Sequence, residues 1–332
     1  MDGRKSSGAE TVTRGLPRTG AGWLHLLSDQ TPTLVLLALC LATTLITDRF
    51  LSPINITNVL LQASVMAVVA MGMTFVIVGG GFDLSVGAVV ALSGSIAAMV
   101  MLEVGVLPGV IAGIAAAILV GAVNGFLVTR LNLNSFIATM GTMVLVRGIV
   151  LLLTGARPIV GDSGLPDAFL DYARDRFLGV PLIIWTPVVL FAALAWVLHK
   201  TAYGRRLYAT GGNREAAFLS GIAVDRVRAS SFVWCSGLAG VAGVMLASRL
   251  QSGQPTAGEF YELTAIAAVV LGGASLYGGE GKLYKTLIGV LIMVVLANSL
   301  NLLNVDSYWQ RVAIGLVILA AAAVDQIKRK KF

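Results

Sequence analysis

Ten long apolar segments constrain this chain more than any other feature of its sequence. A helix needs about 20 apolar residues to cross a bilayer, and about 17 suffice at the lower end. The segments therefore predict an all-α polytopic membrane protein with about ten transmembrane helices, forming one domain over 31–326. They are 31–48, 57–78, 84–102, 107–128, 135–154, 182–198, 229–248, 262–277, 286–304 and 308–325. The eighth, 262–277, is short and rich in glycine.

The charge content agrees with a membrane protein. Charged residues make up 12% of the 332 residues, and the mean hydropathy is +0.86, whereas a soluble domain carries about 25% charged residues. The net charge of +7 does not indicate a nucleic-acid partner, because the basic residues lie at the ends of apolar segments and form no stripe.

The distribution of lysine and arginine predicts the orientation. An even number of spans puts both termini on one side, and 17 of the 24 basic residues then lie on that side. Cytoplasmic loops carry this excess, so we expect cytoplasmic termini, with a tail at 1–30 that is not a signal peptide and a basic tail at 327–332. The 199–228 loop would also be cytoplasmic. The 155–181 loop would be external and long enough for a short helix, serving either as a partner surface or as a solvated cap.

Glycine marks two kinds of site. Small residues spaced four apart, such as Gly109/Gly113 and Gly121/Gly125, predict close packing of helix backbones. Glycine-rich segments at 79–87 and 271–281 instead break the helical pattern, and such breaks indicate a transport pathway or its gate. Within the first break, Asp83 is either a gate contact or the cap of a helix beginning at Leu84.

Polar side chains inside the apolar segments are candidates for binding or for helix pairing. Arg147 is either a substrate contact or the structural partner of a carboxylate. Asn124, Asn298 and Asn301 can bond the hydroxyl groups of a substrate or tie helices together. Asn298 and Asn301, three positions apart, are expected on one helix face.

The polar 199–228 loop contains the signal for a short helix over 212–221. Asn213 can cap its first turn, where Glu215 lies, and Gly221 can end it. So short a helix is unstable alone in water, so we expect it to dock on something. Phe218 and Leu219 offer apolar contacts for such docking.

Motifs for enzyme chemistry fail when they are tested. A phosphate-binding loop ending at Gly281-Lys282 would need glycine at position 276 and serine or threonine at 283, and both are leucine. Two cysteines and two histidines, all remote from one another in sequence, give no metal-ligand spacing, disulfide framework or catalytic triad. We therefore expect no enzyme and no cofactor in this chain.

Several long motifs in order resemble the permease subunits of bacterial ATP-binding-cassette importers of the ribose type. The likeness runs from about 55 to 326. Its motifs are Gly81-Phe82-Asp83-Leu84-Ser85-Val86-Gly87, 136–143 with Arg147-Gly148, 211–222, 254–258, 261–273 and Asp325. The family usually has isoleucine at the position of Phe82. Many members carry aspartate where Thr264 stands, which leaves Glu262 as the acid there.

The resemblance implies import of a monosaccharide such as ribose, xylose, arabinose or galactose across the bacterial inner membrane. The implied partners are a second permease, identical or related, a cytoplasmic twin-cassette ATPase that binds ATP and Mg, and a periplasmic sugar-binding protein. An autoinducer-2 importer, an ion-driven secondary transporter and a subunit without transport remain as alternatives.

The candidate site residues, from the residue patterns and the resemblance together, fall into three groups. The ATPase-coupling residues are Gly211, Gly212, Asn213, Arg214, Glu215, Ala216, Ala217, Phe218, Leu219, Ser220 and Gly221. The substrate-pathway candidates are Asn124, Phe136, Thr139, Arg147, Asn298 and Asn301. The gate or helix-cap candidates are Asp83, Glu262, Gly272 and Gly273.

Overall fold

The computed structural model describes residues 30–330, so most of the expected N-terminal tail and the last two residues lie outside the described part. Over 30–330 the chain forms thirteen helices and one hairpin made of two strands of two residues each. These are α1 Thr31–Ile46, α2 Pro53–Val78, α3 Val86–Val104, α4 Val106–Thr129, α5 Ser135–Thr154, α6 Asp167–Arg174, β1 Arg176–Phe177, β2 Val180–Pro181, α7 Leu182–Lys200, α8 Ala202–Gly212, α9 Arg214–Leu219, α10 Val224–Leu250, α11 Tyr261–Leu271, α12 Leu283–Leu302 and α13 Ser307–Lys330.

Each of the ten apolar segments contains a helix, which confirms an all-α polytopic membrane protein. Seven described helices, α2, α3, α4, α5, α7, α10 and α12, are long and apolar enough to cross a membrane. Three apolar helical stretches are shorter: α1, α11 and the part of α13 from Tyr308 to Ala320. The short helix expected in the 155–181 loop is present as α6.

The eighth segment, 262–277, does not form one continuous helix, in agreement with the glycine break predicted at 271–281. Helix α11 has 11 residues and ends at Leu271, which at 1.5 Å per residue is about half of a bilayer core. The chain turns there because Gly273 has a positive φ of +85° and because Gly272 packs on backbone. A Cβ on Gly272 would lie 2.6 Å from the Lys285 carbonyl oxygen.

Other boundaries also differ from the sequence expectations. Helix α3 begins at Val86 rather than at Leu84, and α10 begins at Val224, five residues before the apolar segment starts. The first turn of α10 is polar and contains Asp225, so hydropathy alone does not reveal it. The 11-residue helix α8 was missed for the same reason.

Helix α2 lies at the centre of the molecule, with α10 and α12 packed against it. Every residue of α2 from Ala63 to Val78 is buried, as expected for a helix that is hydrophobic on all sides. Helix α10 packs against α2, α3 and α4, while α12 packs against α1, α2 and α11. Helices α4, α5 and α7 instead bury only 22%, 28% and 22% of their most apolar 18-residue stretches, and the apolar side chains outside the core give the molecule a surface suited to lipid.

The spaced glycines of α4 allow the close packing predicted for them. A Cβ on Gly113 would lie 2.5 Å from the Ser93 carbonyl oxygen of α3, and one on Gly121 would lie 2.6 Å from the Phe232 carbonyl oxygen of α10. Real Cβ atoms do not approach backbone this closely, so α4 reaches both neighbours only because these positions lack side chains.

Candidate functional site

The short helix expected in the 199–228 loop is α9, Arg214–Leu219. The Asn213 side chain accepts a hydrogen bond of 2.9 Å from the backbone N–H of Ala216, which confirms the predicted cap. Glu215 lies in the first turn, and Gly221 follows the helix with a φ of +78°. The Arg214 guanidinium contacts the Asp225 carboxylate at 3.0 Å and ties α9 to the start of α10.

The two faces of α9 differ in exposure. Ala217 is buried against the rest of the chain, whereas the Phe218 and Leu219 side chains are 70% and 79% exposed. An apolar pair exposed in a charged loop is typical of a surface that a partner covers. We call Phe218 and Leu219 the apolar pair of α9.

Helix α8 connects α9 to the body of the molecule. Leu207 is fully buried and lies under Gly79, whose Cβ would be 3.1 Å from the Leu207 Cδ1. The Tyr208 hydroxyl donates a 2.7 Å hydrogen bond to the carbonyl oxygen of Gly281. Burial raises the pKa of Tyr208 above its usual value, which keeps this donor protonated.

Three glycine-rich segments meet at the end of α8. Gly211 lies directly on the end of α2, where a Cβ would overlap the carbonyl oxygen of Val78. The same Val78 oxygen accepts a 2.9 Å hydrogen bond from the backbone N–H of Gly279. Gly279 has a φ of +75°, and a Cβ on it would lie 2.5 Å from the Gly212 Cα.

We call this contact the glycine junction. Its members are Gly80, Gly211, Gly212, Gly278 and Gly279. It joins both glycine breaks, 79–87 and 271–281, to the loop that carries α9. Sequence reasoning identified each of the three segments but not their meeting, and the only signal for it was the repeated Gly-Gly pairs.

The first glycine break is held by a buried polar network around Asp83. Asp83 is fully buried, and its Oδ1 accepts hydrogen bonds from the backbone N–H and the hydroxyl of Ser85, at 2.9 and 2.6 Å. The Ser236 hydroxyl of α10 donates to Oδ2 at 3.4 Å. Asp83 therefore stabilises the turn that precedes α3, with the helix starting two residues later than expected.

Asn124 and Thr139 belong to the same network. The side-chain NH2 group of Asn124 donates a 2.9 Å hydrogen bond to the Ser85 hydroxyl. The side-chain carbonyl oxygen of Asn124 accepts a 2.7 Å hydrogen bond from the Thr142 hydroxyl. The Thr139 hydroxyl oxygen accepts a 3.0 Å hydrogen bond from the backbone N–H of Leu84. Asn124 and Thr139 are both fully buried, so in this conformation their polar atoms face protein.

Arg147 and Glu262 lie beside the loop from Gln251 to Phe260, which connects α10 to α11. Arg147 donates to the carbonyl oxygens of Pro255 and Ala257 at 2.7 and 3.0 Å. Among residues 30–330 no carboxylate lies within ion-pair distance of Arg147, so its direct contacts are with backbone carbonyls. Of the two roles considered for Arg147, direct pairing with a carboxylate is therefore not seen. The Glu262 carboxylate lies against Gly87, whose Cβ would be 2.5 Å from the Glu262 Oε2.

The remaining candidates are dispersed. Asn298 is buried and exchanges two amide hydrogen bonds with Asn55 of α2, at 3.0 and 2.8 Å. Asn301, one turn further along α12, is exposed. Phe136, near the start of α5, is 50% exposed. Gly272 and Gly273 form the turn after α11.

Comparison with known families supports a transport role for this architecture. Residues 55–322 match the family model described as branched-chain amino acid transport system / permease component. The chain belongs to this permease family. The matched region includes α9, both glycine breaks and the whole polar network.

The permease is also similar to curated transport proteins over nearly its full length. It is 47% identical to the ribose import permease protein RbsC of Bacillus subtilis, covering 90% of this chain and 92% of that one. It is 43% identical to RbsC of Escherichia coli, covering 91% and 95%, and 36% identical to the L-arabinose transport system permease protein AraH of Escherichia coli, covering 98% of both. No solved structure matches the permease.

Proposed function

We propose that this chain is the transmembrane permease subunit of an ATP-driven importer for a monosaccharide, with ribose as the first candidate. The observation that carries the proposal is the 47% identity to a ribose import permease over nine tenths of both chains. The family description names branched-chain amino acids. The relatives named for sugars match this chain along most of their length, which favours a sugar over an amino acid as the substrate.

The exposed apolar pair of α9 supports a separate ATPase subunit as the partner. Phe218 and Leu219 are too exposed to stabilise the permease itself, and a pair of apolar side chains at the centre of an interface can supply much of its binding energy. We infer that α9 docks into a cleft of a cytoplasmic twin-cassette ATPase, which binds ATP and Mg. The flanking basic residues, such as Arg214, would add electrostatic complementarity.

The glycine junction supplies a route from that docking site to the transport pathway. Because Gly211 and Gly279 both contact the end of α2 through backbone atoms, a displacement of α9 moves the two glycine breaks together. The first break leads into α3, and the second follows the end of α11. The first turns of these two helices meet at Gly87 and Glu262. We propose that this region is the gate, and that Arg147 holds the 251–260 loop in place beside it.

The orientation follows from the same proposal. If α9 meets a cytoplasmic ATPase, then α6, the hairpin and the 251–260 loop face the periplasm, where a sugar-binding protein delivers the substrate. A second permease subunit, identical or related, would complete the pathway in the inner membrane. Ten membrane-crossing or partly crossing helices with cytoplasmic tails at 1–30 and 327–332 fit this arrangement and the distribution of basic residues.

Other functions are not favoured. The reported relatives are named as ribose and arabinose permeases, which gives no support to an autoinducer-2 importer. An ion-driven transporter needs a relay of ionisable groups. The fully buried Asp83 instead has its oxygens bonded by serine hydroxyls and backbone, with no cation beside it among residues 30–330.

Reconstitution with a twin-cassette ATPase and a sugar-binding protein that co-purify with this chain tests the proposal. Labelled ribose, arabinose and leucine would be offered separately to proteoliposomes containing the complex. We expect ATP-dependent uptake of one of the pentoses and none of leucine. Uptake of leucine alone would assign the chain to amino acid transport, and no uptake of any of the three would contradict a pentose importer.

A cysteine accessibility experiment tests the orientation independently. Single cysteines at Leu178 and Leu219, both highly exposed, would be placed in a chain whose Cys40 and Cys235 are replaced by serine. A membrane-impermeant maleimide added to intact cells should label position 178 only. Labelling of position 219 alone would reverse the proposed topology.

A further inference from the structure

A groove separate from the apolar pair of α9 lies between the end of α7, the first turn of α8 and the first three turns of α10. Its volume is about 610 Å³, and its walls include Val197, Thr201, Tyr203, Arg206, Arg226 and Trp234. None of the functions proposed above uses this groove.

One end of the groove is cationic. Arg206 and Arg226 are both exposed, and among residues 30–330 neither forms an ion pair or a side-chain hydrogen bond. The adjacent carboxylate, Asp225, does not line the groove and is paired with Arg214 at 3.0 Å. Two unneutralised guanidinium groups that line the same groove form a site suited to a phosphate group.

The other end of the groove is apolar. Trp234 follows Arg226 by eight residues on the same helix, which places it about 12 Å further along the axis at 1.5 Å per residue. Its ring is 40% exposed and is fixed by stacking on Phe75, with ring centroids 5.8 Å apart. Val197 of the spanning helix α7 forms the facing wall.

A phosphate site continuous with an apolar wall on two membrane-spanning helices matches a phospholipid rather than a soluble phosphate. Basic pockets between transmembrane helices bind anionic head groups, and tryptophan is enriched at the membrane interface. We propose that this groove binds an anionic phospholipid, with its phosphate between Arg206 and Arg226 and an acyl chain along Val197 and Trp234. The proposal does not depend on which solute the permease carries.

Native mass spectrometry of the full-length chain in detergent tests this site. Phosphatidylglycerol and phosphatidylcholine with identical acyl chains would be titrated separately. One basic residue near an anionic head group strengthens binding about fivefold, so two strengthen it about thirtyfold. We expect phosphatidylglycerol to bind about thirtyfold more tightly, and R206Q/R226Q to abolish this preference.

Two further variants separate a specific site from general charge. R206K/R226K keeps both charges and should retain most of the preference. R205Q removes an exposed neighbouring charge outside the groove and should leave the preference unchanged. Equal affinity for both lipids, or equal losses in R205Q and R206Q/R226Q, would overturn the proposal.

The source of the phosphate group is tested with glycerol 1-phosphate, which lacks acyl chains. We expect no displacement of phosphatidylglycerol at millimolar concentration. Displacement would show that the site recognises a soluble phosphate and would overturn the lipid assignment. Phosphatidylglycerol with a photoreactive acyl chain should label a peptide containing Val197 or Trp234, and labelling confined to other helices would also contradict it.

Discussion

Gly211 lies so close to the carbonyl oxygen of Val78 that any Cβ at position 211 would overlap it. This contact joins the last turn of α8, which leads to α9, the proposed docking helix for the ATPase, to the last turn of the most deeply buried spanning helix, α2. Because the contact is made by backbone atoms, it transmits displacement without the slack of flexible side chains. The coupling proposal therefore makes its sharpest predictions here.

Replacing Gly211 by alanine should uncouple the permease. The added methyl group must displace the Val78 carbonyl, and overpacking of this kind costs about 1–3 kcal/mol. We expect G211A to lower sugar uptake more than tenfold while the ATPase still co-purifies, because the apolar pair of α9 is unchanged. G315A is the matched control, since a Cβ on Gly315 of α13 meets nothing within 4 Å. Normal uptake by G211A would exclude the junction as a coupling route.

Removing the Tyr208 hydroxyl should have a smaller effect at the same junction. Y208F keeps the ring and loses the 2.7 Å hydrogen bond to the Gly281 carbonyl oxygen, which typically contributes about 1 kcal/mol. We expect a two- to fivefold fall in uptake, with ATP hydrolysis by the complex less responsive to the binding protein. An unchanged response would show that the second glycine break does not depend on α8.

The apolar pair of α9 should govern assembly with the ATPase rather than stability of the permease. F218S/L219S changes side chains that are 70% and 79% exposed, so thermal unfolding of the isolated chain should shift little. If the pair is central to the interface, its loss costs at least about 2 kcal/mol, or about thirtyfold in affinity. Co-purification measures this directly. L178S, which changes a leucine 78% exposed in the hairpin loop, should leave assembly intact.

The polar network around Asp83 predicts an order of stability among its variants. D83N can still accept from Ser85 through its amide oxygen and should be tolerated. D83A leaves buried donors unsatisfied, at about 1–3 kcal/mol each. N124D places a second carboxylate where the Asn124 amide now lies 3.5 Å from Asp83 Oδ1, and should be the least stable. Thermal unfolding in detergent should rank them D83N, D83A, N124D. D83N being as unstable as N124D would show that the charge of Asp83 itself is required.

The reciprocal amide pair of Asn55 and Asn298 should act in helix packing. A double-mutant cycle with alanine at both positions should give a coupling energy between about 0.6 and 2 kcal/mol, the range found for hydrogen bonds between membrane helices. Uptake by the double variant should fall only in proportion to its lost stability. A selective loss of affinity for the sugar would instead return Asn298 to the substrate pathway.

The main helices could be predicted from the sequence because membrane spans depend on length and hydropathy. Segment 135–154 was predicted to the residue, and the Asn213 cap follows from local chemistry alone. Helix α11 ends where the glycine break at 271–281 predicts. The contact between Gly272 and the remote Lys285 backbone could not be predicted from the sequence. Helix α8 was missed because its amphipathic sequence has low hydropathy.

The site residues were also predictable where local sequence determines them and not where remote contacts do. Local motifs identified Asp83, Asn124 and Thr139 separately, and only the fold shows that they share one network. The partners of Arg147 are backbone carbonyls, which no pattern of side chains could indicate. The pairing of Asn298 with Asn55 spans 243 positions, so the expected shared face with Asn301 gave no information about which amide is buried.

Sugar uptake with the energy source controlled distinguishes an ATP-driven importer from an ion-driven transporter. Right-side-out vesicles containing the complex would be loaded with ATP, treated with ionophores that collapse all ion gradients, and given labelled ribose with its binding protein. If ATP drives import, we expect accumulation that persists with ionophores and disappears when ATP is replaced by a non-hydrolysable analogue. Uptake that is abolished by the ionophores and indifferent to ATP would contradict ATP-driven import.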